Sequence, residues 1–141
     1  MSQEVPRTAL QGPGFKLILD AHAIAQLHHL LGARAVPIVD VFLKDLPVHL
    51  EKLRAAIERA DMPVVRNEAH TMKGSSSNLG ASGFACLCAQ VSDICKSGEL
   101  HRLRAAYAAL EQEFHLRVAP ALEQFKQVLL QEGNPEWKTS P

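Results

Sequence analysis

Hydrophobic positions recur every three or four residues through most of this chain, and that spacing predicts amphipathic helices. Asp20 caps a short first helix with Ile24, Leu27 and Leu31 on one face, ending at Gly32. Val39, Phe42, Leu46, Leu50, Leu53, Ile57 and Ala60 form the stripe of a longer helix. Pro47 interrupts it, and because a proline ring crowds the carbonyl four residues back, a bend is expected near Leu43. Asp61 then caps a helix that tolerates Pro63 in its first turn and runs to about Leu79, before Gly80. Phe84, Leu87, Cys88, Val91 and Cys95 make the next stripe, which begins near Ser82 and stops at Gly98. The last pattern is Leu103, Tyr107, Leu110, Phe114, Val118, Ala121, Phe125 and Val128; it keeps its step across Pro120 and reads as one kinked helix or two in tandem.

No segment alternates with period two, and no repeat is visible. Several amphipathic helices joined by short turns predict an all-α fold, an antiparallel four-helix bundle with an additional short N-terminal helix, over residues 15–130. Residues 1–14 and 131–141 are turn-rich in Pro and Gly and read as flexible tails.

Composition narrows the function classes. The 141 residues suit one domain, and 15 basic against 15 acidic residues leave no electrostatic footprint for a nucleic acid. No apolar run reaches the roughly 18 to 20 residues a membrane span needs, and the N-terminus lacks the order of a secretory signal. A cytoplasmic monomer is expected. Cys86, Cys88 and Cys95 are an odd number in one short segment, which suits a reducing compartment; Cys88 and Cys95 share the apolar stripe and read as core thiols, while Cys86 points outward. His28 and His29 are adjacent and diverge by about 100° on a helix, so they do not share an ion, and no metal site is expected. His49, His101 and His115 read as isolated surface or boundary residues.

His70 stands apart. At 100° per residue, Val65, Ala69, Met72, Ser76 and Leu79 fall within about 40° of one direction, which is the core, while His70 lies about 140° from Val65 and faces solvent. Arg66 precedes it by one turn, Lys73 and Gly74 follow by one turn, and Ser77 by two. Gly74 and the serines at 75, 76 and 77 are poor helix formers for a helix interior. Gly74 removes a side chain that would block a large partner, and the Lys73 ammonium is placed to neutralise a phosphoryl group on the ring.

The run Ala69-His70-Thr71-Met72-Lys73-Gly74-Ser75-Ser76-Ser77-Asn78-Leu79-Gly80-Ala81 resembles the signature of histidine-containing phosphotransfer domains: Ala-His, two residues, Lys-Gly-Ser-Ser, then Leu-Gly-Ala. The resemblance implies a four-helix bundle displaying one phosphorylatable histidine. By position, His70 would accept the phosphoryl group, Lys73 would stabilise it, Gly74 would give clearance and Ser75 would donate a hydrogen bond. Some members carry a Gln on the following helix that orients the His; Ser92 falls there, with Gln90 nearby. Arg66, Asn67, Lys73, Ser77 and Asn78 are candidates for the docking surface.

The resemblance implies a phosphorelay intermediate that moves phosphate between aspartates of receiver domains, those of a hybrid sensor kinase and of response regulators. It would need no cofactor of its own, since the receiver brings Mg²⁺. An imidazole at its ordinary pKa of about 6.5 is mostly neutral near pH 7 and so has a lone pair for attack. The chain has no GxxxxGK[ST] loop, so autonomous ATP-dependent kinase activity is not expected. The competing expectation is a non-catalytic helical adaptor that binds and inhibits a receiver or kinase domain.

Overall fold

The computed structural model describes residues 19–133, so the expected tail at 1–14 and residues 134–141 of the other lie outside the described residues. Within them the elements are α1 (Ala21–Leu31), a 3₁₀ turn (Gly32–Ala35), α2 (Val36–Glu58), α3 (Met62–Asn78), α4 (Ser82–Cys95), α5 (Leu100–Glu113), a π turn (Phe114–Val118) and α6 (Ala119–Gly133). All regular structure among the described residues is helical.

The capping residues read from the sequence do their work at the helix starts. The Asp20 carboxylate accepts from the His22 and Ala23 amides at 2.9 and 3.1 Å, and Asp61 accepts from the Val64 amide at 3.4 Å. α2 runs through Pro47 without interruption. At the end of α3, Gly80 has φ 78°; its amide bonds the Ser77 carbonyl at 3.0 Å, and the Ala81 amide bonds the Ser76 carbonyl at 2.9 Å. This paired closure needs a left-handed residue, which glycine supplies without strain. A Cβ at Gly80 would also come within 3.3 Å of Ala23 Cβ, so the turn sits tightly against α1. The turn from α2 to α3 is closed the same way, with Ala60 in the left-handed position at φ 56°.

α2, α3, α4 and α5 enclose the core: α2 packs on α3 and α5, and α4 on α3 and α5, while α6 lies against α2 and the 3₁₀ turn. Leu46, Leu53, Val65, Met72, Phe84 and Leu110 are each at most 1% exposed. The Phe114 ring lies 6.1 Å from both Phe42 and Phe84, joining three sides of the core.

Two expectations need correction. The final stripe does not continue to Val128, which is 41% exposed; Leu122 and Leu129 are buried in its stead. A π turn with its wider spacing sits just before Pro120, whose ring would crowd a regular α-helix; past it Val118 and Phe125 keep their inward places, and Leu122 and Leu129 join them. His49 is not isolated, because its Nδ1 lies 2.6 Å from Glu68 Oε1 and ties α2 to α3. Nothing in the periodicity of either helix signals a contact that depends on how the two are rotated against each other. Glu113, at the end of α5, is buried, and its Oε2 has no hydrogen-bond partner; burial pushes its carboxyl up, against the pull of Arg117 at 3.6 Å.

Candidate functional site

α3 builds the site through its two faces. Val65, Ala69, Met72 and Ser76 are fully buried, and the Ser76 hydroxyl donates to the Met72 carbonyl at 2.6 Å, so this polar group is satisfied by its own helix. With that face fixed inward, Arg66, Asn67, His70, Lys73, Gly74, Ser77 and Asn78 are exposed.

A polar hollow of about 440 Å³ runs between α3 and α4. Arg66, Asn67, His70 and Lys73 line it from α3, facing Ala89, Ser92 and Asp93 of α4. Among the described residues, His70, Arg66 and Lys73 have no hydrogen-bond or ion-pair partner. Beneath them lies Cys88, whose thiol is pushed up to about 12 by burial, with the Lys73 charge pulling the other way. That thiol is inert packing.

Gly74 has no heavy atom within 4 Å of where a Cβ would stand. Nothing among the described residues therefore requires a glycine there, although Gly costs about 1 kcal/mol against Ala in a helix.

Other expected site residues are placed differently. The Ser75 hydroxyl donates back to the Thr71 carbonyl at 3.1 Å. Ser75 and Asn78 line a separate apolar hollow on the α2 side of α3, with Ile38, Val41 and Leu79, away from His70. Ser77 is exposed and lines neither hollow. Of the two candidates on α4, Ser92 is half-buried in the His70 hollow, whereas Gln90 is exposed and outside it. Asp93 and Ala89 were not singled out from the sequence. Their signal is their place on the α4 wheel, flanking the buried Cys88 and Val91, but the wheel alone does not say which flank meets α3. No group of three or more His, Cys, Asp or Glu among the described residues could hold a metal ion.

Among the described residues, an exposed imidazole thus stands in an open hollow with two unpaired cations beside it. The Hpt domain model matches residues 37–133, and the chain belongs to that family, the histidine phosphotransfer proteins of two-component phosphorelays, which pass phosphoryl groups between receiver domains. It is similar to the crystal structure of histidine-containing phosphotransfer protein B (HptB) from Pseudomonas aeruginosa, with a TM-score of 0.72 and 32% identity, covering 77% of this chain and 94% of that one. It is also 27% identical over 89 residues to the phosphorelay intermediate protein rdeA of Dictyostelium discoideum. That match covers 63% of this chain and 35% of the relative, so the chain spans about a third of that curated relative's length.

Proposed function

We propose that His70 is the residue that takes a phosphoryl group from the phospho-aspartate of one receiver domain and yields it to the aspartate of another. The observation that carries this reading is the exposed, unpartnered His70 between the unpaired Arg66 and Lys73, on a helix within the matched Hpt segment. A ring nitrogen attacks phosphorus in line, the bond from phosphorus to the aspartyl oxygen breaks, the carboxylate leaves, and the ring proton passes to solvent. Lys73 meets the charge on the phosphoryl oxygens and Ser92 is the better-placed orienting group on α4. Gly74, with open space above it, lets the receiver close over the imidazole, while Asn67, Ser77 and Asn78 belong to the surface it covers. Ser75 supports the helix rather than the ligand, since its hydroxyl is already engaged. Mg²⁺ is expected on the receiver.

The same reading takes the bundle as antiparallel, which is supported by the three-residue connections at 59–61 and 79–81 between packed neighbours. It takes residues 15–130 as the working unit and the protein as a cytoplasmic monomer. No helix among the described residues is long and apolar enough to cross a membrane.

The test is to mix the protein with a phosphorylated receiver domain. Acid-labile, base-stable label should pass to the wild type and not to His70→Gln at unchanged helicity; label accepted equally by His70→Gln would refute the assignment.

A further inference from the structure

We infer that Arg66 is a second phosphoryl-binding residue, acting with Lys73 as a two-cation clamp on the group carried by His70; this rests on the phosphotransfer reading above. The first observation is an omission from an otherwise regular pattern. Arg54, Arg59, Arg102, Arg104 and Arg117 each reach a carboxylate within 4 Å, and Arg34 donates to the Leu30 carbonyl at 3.2 Å. Arg66 alone among the described arginines has no acceptor. A guanidinium carries five donors in a fixed fork, and leaving all of them to water beside a polar hollow is the state of a group whose acceptor arrives with a ligand.

The second observation is placement. Arg66 and His70 are separated by four residues and His70 and Lys73 by three on one uninterrupted helix, so the two cations stand about one turn to either side of the imidazole. All three line the same hollow. The carboxylate opposite, Asp93, is already engaged by Lys96 at 3.6 Å, and it forms no ion pair with Arg66. A dianionic phosphoryl group has three oxygens; the Lys73 ammonium is a point charge that meets one of them, and the fork of Arg66 fits the other two. The Asp93 carboxylate on the far rim sharpens the need, since a phosphoryl group entering the hollow meets a like charge there.

The test reads the phosphoryl group itself. Phosphoramidate phosphorylates the imidazole directly: the ring nitrogen attacks phosphorus, the phosphorus–nitrogen bond of the reagent breaks, and ammonia leaves with the ring proton. The ³¹P resonance of His70 is assigned by its loss in His70→Gln and then titrated. A cation within bonding range favours the dianion, so Arg66→Gln should raise the second pKa of the phosphoryl group by about 0.5 to 1 unit, a three- to tenfold change in acid dissociation. Arg66→Lys should restore most of that shift, and Arg104→Gln, whose guanidinium is tied to Glu58 across the bundle, should leave it unchanged. A pKa in Arg66→Gln equal to the wild type, or the absence of any His70 resonance in the wild type, overturns the inference. Failure of the wild type to accept phosphate from a receiver, with the Arg66 shift intact, would count against the phosphorelay reading and leave the cation site standing.

Discussion

On the inward face of α3, Val65, Ala69, Met72 and Ser76 are fully buried, and each is explained by what it touches in this chain. One residue further round, Arg66, His70 and Lys73 have no hydrogen-bond or ion-pair partner among the described residues, and Gly74 has only open space above it. The contrast separates two kinds of constraint on one helix. The inward residues answer to packing; the outward ones carry donors, charge and a helix-weakening glycine that no contact among the described residues uses, and the proposed phosphotransfer gives them a use.

Substitutions on the two faces should therefore fail in different ways. Met72→Ala removes a fully buried side chain and should cost about 2–5 kcal/mol in denaturant unfolding, with phosphotransfer lost only as the fold is lost. Cys88, just under the site, sharpens the distinction through pH. Its thiol is held near 12 in the folded protein against 9.0 for the ordinary group, so above pH 9 the unfolded chain gives up its proton first and stability falls. The slope is about 1.4 kcal/mol per pH unit, and between pH 8 and 10.5 the wild type should lose about 2 kcal/mol more than Cys88→Ala. Below pH 9 both states keep the proton and the effect vanishes. Lys73→Ala, on the outward face, should slow phosphotransfer about tenfold, the loss of one charge-assisted hydrogen bond of about 1.5 kcal/mol, while the thermal midpoint stays put. Gly74→Ala is the smallest and most diagnostic change: it should stabilise the bundle by about 0.4–1 kcal/mol yet weaken receiver binding in calorimetry. A Gly74→Ala protein that gained stability and bound receivers normally would erase the contrast between the faces.

The helical wheel of α3 was legible because α3 is a single uninterrupted α-helix, for which 100° per residue holds from Val65 to Asn78. The same arithmetic held less well beyond Phe114, where the π turn breaks the period: Val118 and Phe125 are buried as expected, but Leu122 and Leu129 are buried as well and Val128 is exposed. Pro120 hinted at an irregularity there, though not at its sense. The Ser75 hydroxyl, which the resemblance implies as a hydrogen-bond donor, bonds back to the Thr71 carbonyl, a local contact that the sequence does not show. The His49–Glu68 pair and the place of Ala89 and Asp93 in the hollow were out of reach for a different reason. Each joins two helices, and periodicity within one helix fixes which face is inward without fixing the neighbour it meets.

The measurement that bears most directly on the central claim is a two-step chase with mapping of the modified residue. Wild-type protein is charged by a phosphorylated receiver, the phosphopeptide is located by mass spectrometry, and an unphosphorylated second receiver is then added. The account predicts one phosphoryl group per chain, on His70, that drains to the second receiver within the chase. Label on any other histidine, or label on His70 that no receiver can remove, would contradict it.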